Sequence, residues 1–113
     1  MTPRPGMNDS LRKLCIGVDA PITTAVAVLT HGGHQIALIV DAADRLLGIV
    51  TDYDIRQAIL KNVELTTAVG TVMQRSPIVA RVGASETEVA AIIRRHKVAQ
   101  LPIVDADDRV VDI

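Results

Sequence analysis

The chain has 113 residues, 49% of them hydrophobic, with 12 basic against 13 acidic residues and a formal net charge of −1. A chain of this size buries somewhat over ~60% of its unfolded surface, so it forms one domain, or two very small ones sharing a core. Balanced charge and a single aromatic, Tyr53, leave no basic field for nucleic acid and no stacking platform for single strands.

With no Phe and no Trp, the core must come from Val, Ile, Leu and Ala. Cys15 is alone, which excludes an internal disulfide and a thiolate metal cluster. The apolar runs are too short to cross a bilayer. The opening "MTPRPGMND" lacks the apolar centre of a secretory signal, so a cytoplasmic location is the expectation.

In chain order, residues 1–12 read as a loose tail and residues 13–16 as a short strand. A helix follows, which Thr23 or Thr24 can cap; Ala25, Val28 and Leu29 form its apolar face and Gly32-Gly33 ends it. Strands at 35–40 and 46–50 flank the turn Asp41-Ala42-Ala43-Asp44, a hairpin signal. A second helix spans 52–62, with Ile55, Ala58 and Ile59 on its buried side and Leu60 left for a partner. Residues 65–76 read as a linker with a short helical turn at 69–73. A strand at 77–80 then leads to a helix opened by a Ser85/Glu88 capping box, with Val89, Ile92, Ile93 and His96 at i, i+3, i+4 and i+7. Strands at 101–104 and 109–113 close the chain around Asp105-Ala106-Asp107-Asp108.

These elements occur twice. Shifted by 64 residues, "IVDAADRLLGI" (39–49) falls on "IVDADDRVVDI" (103–113) with seven identities in eleven positions. Two copies predict a pseudo-twofold pair. The division is tail 1–12, first repeat 13–64, linker 65–76 and second repeat 77–113, the last incomplete because it has no counterpart of the helix at 52–62. The two sheets are expected to pack through Leu38, Val40, Ile49 and Ile103.

Where the first repeat's last strand becomes a helix, "LLGIVTDYDI" (46–55) places Thr51 at the N-cap and Asp54 at N3. Thr51 can accept a backbone hydrogen bond, and Asp54 favours the positive end of the helix dipole. Capping alone would account for both residues.

A unit of strand, helix, strand, strand and helix, carrying Gly-apolar-apolar-Thr-x-x-Asp at its last junction and present twice, resembles the CBS domain, named for cystathionine β-synthase. The resemblance covers residues 14–113, through "GIVTDYDI" and "MQRSPIVARVGASETEVAAI". It implies an α/β (α+β) fold of tandem CBS domains. It also implies that Thr51 and Asp54 hydrogen-bond the ribose of an adenine nucleotide; a carboxylate, being acceptor-only when ionised, suits the two donors of a vicinal diol. By the same resemblance, Pro77, Ile78 and Val79 would line an adenine pocket in the second copy. Arg56 could reach a phosphate, although a solvent-facing helical arginine is the simpler reading, and Tyr53 could stack on a base. Asp112 stands where the first copy has Gly48, and the Thr and Asp that would follow fall past Ile113, so the second copy's ribose-binding group is expected to be missing.

A narrower similarity connects "VVD…GRLLGTVTDGDIRRALL", typical of CBS pairs on bacterial sugar-phosphate nucleotidyltransferases, to residues 39–60; Tyr53 and Gln57 depart from it. Related runs occur in the pairs on arabinose-5-phosphate isomerases. The resemblance thus implies a regulatory module without catalytic residues, joined to a catalytic domain. It would respond to AMP, ADP, ATP or S-adenosylmethionine, require no cofactor and act as a homodimer. The rival reading is a dimerisation module without a ligand. His31, His34 and His96 do not make a metal site, and Cys15 reads as a buried hydrophobe.

Overall fold

The computed structural model describes residues 7–98 and 100–113. It is a mixed α/β structure with two three-stranded sheets. In the first sheet β1 (Cys15–Ile16) runs parallel to the central β2 (Ile36–Val40), and β3 (Leu46–Thr51) pairs antiparallel on its other side. The second sheet repeats this order with β4 (Ala80–Arg81), β5 (Ile103–Val104) and β6 (Val110–Asp112). The helices are α1 (Asp9–Arg12), α2 (Ile22–His31), α3 (Asp52–Leu60) and α4 (Glu86–His96).

Both hairpins turn on the same chemistry. Asp41 Oδ1 accepts from the backbone N–H groups of Ala43 (2.8 Å) and Arg45 (3.0 Å). Asp105 Oδ1 accepts from those of Asp107 and Arg109, both at 2.9 Å. Asp44 and Asp108 each adopt φ 65°, a left-handed conformation that an Asp side chain tolerates. The turns then bind each other: Leu46 N–H donates to Asp108 C=O (2.9 Å) and Val110 N–H to Asp44 C=O (3.0 Å). The intervening Arg45 and Arg109 form an antiparallel bridge. These contacts interchange under the 64-residue shift, so the pseudo-twofold axis passes between the two arginines.

Period-two alternation divides the core. Ile36 and Leu38 face the other sheet and pack with Leu14, Ile49, Val104 and Val110. Ala37 and Ile39 face the opposite way, with Ala25, Val50, Val69 and Met73. Burying side chains of this size contributes roughly 1.5–3 kcal/mol each.

The inter-sheet expectation requires one correction. Val104, not Ile103, enters the shared core; Ile103 is the repeat partner of Ile39 and shares its outward parity. Four further expectations change. The tail is ordered from residue 7: Asn8 caps α1 through its side chain (2.8 Å to Leu11 N), and Leu11 is buried in the inter-sheet core. Residues 1–6 lie outside the described residues. Neither Thr23 nor Thr24 caps α2, whose N-cap is Pro21. The N–H groups of Ile22 and Thr23 instead reach the linker carbonyls of Thr67 (2.9 Å) and Leu65 (3.1 Å). Strand β4 begins at Ala80, the last residue of the expected 77–80. Ile59 is 55% exposed, because the inward line of α3 runs through Asp54 and Ala58.

The linker is built into the first sheet. Its turn, a 3-10 helix at Val69–Thr71, falls within the expected stretch. Gln74 and Ile49 exchange backbone hydrogen bonds of 2.8 and 3.1 Å alongside β3. This approach requires a glycine at position 48, where a Cβ would lie 2.6 Å from the Gln74 carbonyl oxygen and 2.7 Å from Met73 Sδ. Gly48→Ala is therefore expected to destabilise the fold by about 1–3 kcal/mol, read as a lower urea midpoint at unchanged m-value. An unchanged midpoint would contradict this packing.

Cys15 is half-buried, with Sγ 3.5 Å from the Leu11 carbonyl. Burial, and secondly the Asp44 carboxylate, push its pKa from 9.0 up to about 11. The folded chain holds the thiol proton more tightly, so this stabilisation is whole below pH 9 and is lost as pH rises through about 11. Between those pH values the urea midpoint of Cys15→Ala should fall less than that of the wild type; parallel falls would contradict the shift.

Candidate functional site

Strand β3 passes into α3 without a loop. Thr51, in extended conformation (φ −123°, ψ 174°), is the N-cap, and Asp54 completes a capping box at N3. Asp54 is 8% exposed. Its Oδ2 accepts from three donors: Thr51 N–H (2.8 Å), Thr51 Oγ1 (3.1 Å) and Gln74 Nε2 (2.9 Å). Strand, helix and linker thus meet at one carboxylate oxygen. Asp54 Oδ1 makes no hydrogen bond among the described residues, which leaves a carboxylate acceptor for a ligand.

Two cavities flank this junction. One, of about 320 Å³, lies between the copies. The first copy and linker supply Gln35, Ile36, Ile49, Thr51, Asp52, Tyr53 and Gln74; the second supplies Lys97, Val98 and Gln100. The other, of about 330 Å³, lies beside α3 and is lined by Tyr53, Asp54, Gln57, Ala58, Lys61, Val63, Thr71 and Val72. Tyr53, 59% exposed, borders both.

The sequence-predicted residues do not all converge. Thr51 and Asp54 are joined, although they line neighbouring cavities. Arg56 is exposed on α3 and lines neither cavity. Pro77 and Val79 line a third cavity of about 140 Å³, with Leu46, Val104 and Asp108, at the seam between the sheets. Ile78 lines none of the three. Residues 77–79 lead into β4, which fixes them at the seam.

Sequence reasoning missed Gln35, Gln74, Lys97 and Gln100. Two had a signal: under the 64-residue shift Lys97 replaces Gly33 and Gln100 replaces Ile36, polar groups where the first copy has a turn glycine and a core residue.

The inter-copy cavity offers hydroxyl and amide groups, one carboxylate and one ammonium beside apolar walls, a lining suited to holding a polar small molecule. Among the described residues no group of three or more His, Cys, Asp or Glu is placed to hold a metal ion. No helix among them is long and apolar enough to cross a membrane.

Comparison with known proteins places this architecture. The CBS domain profile matches residues 6–61 and 69–113. The chain is 39% identical over 71 residues (62% of this chain) to inosine-5'-monophosphate dehydrogenase of Helicobacter pylori, covering 14% of that protein. It is 27% identical over 104 residues (91% of this chain) to the arabinose 5-phosphate isomerase KdsD of Pseudomonas aeruginosa, covering 31% of it. The chain therefore spans less than a third of either relative. Among solved structures, the CBS domain pair of protein MJ0100, in complex with 5'-methylthioadenosine and S-adenosyl-L-methionine, superposes with TM-score 0.75 at 27% identity, over 86% of this chain and 76% of that one. CBSX2 in complex with AMP superposes with TM-score 0.73 at 24% identity, over 86% and 76%.

Proposed function

The chain belongs to the CBS domain family, and from that premise we propose that it is a regulatory CBS pair binding an adenine nucleotide at the Thr51–Asp54 junction. The observation that carries this reading is that Thr51, which lines the cavity shared by both copies, is hydrogen-bonded to Asp54, a carboxylate that holds three donors on one oxygen, keeps the other unbonded among the described residues and lines the adjoining cavity beside α3. The complexes of CBSX2 with AMP and of MJ0100 with S-adenosyl-L-methionine support the ligand class. Regulation would follow from linkage: a nucleotide that favours one arrangement of the two copies shifts whatever is joined to them. AMP, ADP, ATP and S-adenosylmethionine are the candidate ligands.

The reading extends to the surroundings of the module. The similarity of residues 39–60 to pairs on sugar-phosphate nucleotidyltransferases, with the match to an arabinose 5-phosphate isomerase, supports a covalently attached enzyme acting on sugar phosphates in the cytoplasm. Tyr53 and Leu60, seven residues apart on one face of α3, are 59% and 74% exposed and support a homodimer formed through this helix. Light scattering at high protein concentration should give twice the chain mass, and a monomer would contradict the dimer.

Calorimetry on Asp54→Ala tests the ligand. Hydrogen bonds to charged groups contribute roughly 1.5–3 kcal/mol, so affinity should fall roughly tenfold to a hundredfold. Asp54 Oδ2 also holds three donors at a buried junction, so its loss should cost stability as well, roughly 1.5–3 kcal/mol, and ligand affinity is read at a temperature where the variant is folded. Thr51→Ser should be nearly silent, whereas Thr51→Ala should weaken both cap and ligand. If the wild type takes up no AMP, ADP, ATP or S-adenosylmethionine at millimolar levels, the ligand-free scaffold stands instead.

A further inference from the structure

Asp54 is a carboxylate without a counter-ion. Only 8% exposed, it meets three neutral donors on Oδ2: Thr51 N–H, Thr51 Oγ1 and Gln74 Nε2. No cation pairs with it among the described residues. Buried charges in proteins are normally paired as well as hydrogen-bonded. Its second oxygen, Oδ1, is unbonded, yet among the described residues no side-chain nitrogen or oxygen shut off from solvent lacks a partner. Oδ1 therefore stays accessible. The cavity that Asp54 lines is the one of about 330 Å³ beside α3, not the one between the copies.

The rest of the lining restricts the chemistry of an occupant. Lys61 stands seven residues after Asp54, two helical turns on, so both lie on one face of α3 about 10 Å apart along its axis. The long lysine side chain leans back toward the helix N-terminus and narrows that gap. Its ammonium makes no ion pair among the described residues. Ala58, Val63 and Val72 supply apolar wall. One anion, one cation and an aliphatic wall in a single cavity are complementary to a small zwitterion that carries an apolar side chain.

We infer that the cavity beside α3 binds an aliphatic α-amino acid, its ammonium on Asp54 Oδ1 and its carboxylate on Lys61 Nζ. An ammonium has donors only and an ionised carboxylate acceptors only, so each end of the ligand meets its complement through a charge-assisted hydrogen bond. A volume of about 330 Å³ falls within the range of small-molecule sites. This second ligand is independent of the proposed nucleotide in all but one respect. Its ammonium and a ribose hydroxyl seek the same oxygen of Asp54, so the two ligands exclude each other.

The test titrates the chain with L-leucine, with 3-methylbutylamine, which lacks the carboxylate, and with 4-methylpentanoate, which lacks the ammonium. Amide chemical shifts report the binding. Leucine at millimolar levels should move residues 54–63 and 71–72 saturably. Without its ammonium the ligand should bind about tenfold more weakly or worse. Lys61→Gln, at an exposed position, should weaken leucine about two- to fivefold and leave 3-methylbutylamine unchanged. Asp54→Asn keeps an oxygen for the three donors but removes the charge; with folding checked, it should weaken leucine at least about tenfold. No saturable shifts with leucine would overturn the inference, as would 4-methylpentanoate binding as tightly as leucine, or Lys61→Gln weakening the amine equally. Leucine uptake by a chain that takes up no AMP sinks the nucleotide reading alone, and AMP uptake without leucine sinks this one alone. Where both bind, each should weaken the other, and independent binding would overturn the shared oxygen.

Discussion

Everything in this structure depends on the antiparallel contact between the two hairpin turns. A three-stranded sheet whose strands have six residues or fewer buries little by itself. The reciprocal hydrogen bonds from Leu46 to Asp108 and from Val110 to Asp44 align two such sheets so that Leu38 and Ile49 meet Val104 and Val110. The turns can pair because each is rigid before it meets the other. An aspartate at the first position takes two backbone N–H groups, and an aspartate at the fourth accepts the left-handed conformation. Sequence chemistry at four aspartates thus fixes the axis, and the axis places Thr51 of one copy near Lys97 of the other.

The copies share a backbone plan but differ in how they are covered. In the first, α2 and α3 bury Ala25 and Ala58, and the linker closes over Gly48. In the second, α4 has no buried residue and Ile103 remains partly exposed. The first copy therefore supplies the fixed side of the cleft, where Asp54 binds strand, helix and linker together. The second supplies a side whose helix is anchored less firmly, an arrangement in which a bound molecule can bias the position of one copy against the other.

Much of this was legible in the sequence because it rests on local chemistry. The repeat, both Asp-rich hairpins, the glycine end of α2, the Ser85 cap of α4 and the Thr51/Asp54 pairing need only neighbouring residues. The misreadings arose where a distant segment overrode a local signal. Thr23 and Thr24 looked like caps, but the linker carbonyls of Leu65 and Thr67 satisfy the helix start. Ile59 fitted an apolar stripe, but the inward place on that stripe went to the buried Asp54, drawn in by Gln74. Leu11 was assigned to a loose tail because one leucine among polar residues gives no periodicity, yet it enters the shared core. Ile103 is different: the parity of Ile39 under the 64-residue shift already placed it on the outer face. The separation of Pro77 and Val79 from Thr51 depends on how the sheets are set against each other, which no local pattern encodes.

The central claim is that the cleft between the copies, bounded by the Thr51–Asp54 junction, is where an adenine nucleotide sits. Amide chemical-shift mapping during titration with AMP tests it most directly, since it locates the ligand without altering the protein. The account predicts saturable shifts confined to residues 49–54, Gln35, Gln74 and the stretch from 97 to 100. Shifts centred instead on Leu46, Val79 and Asp108 at the sheet seam, or no shifts at millimolar AMP, would contradict it.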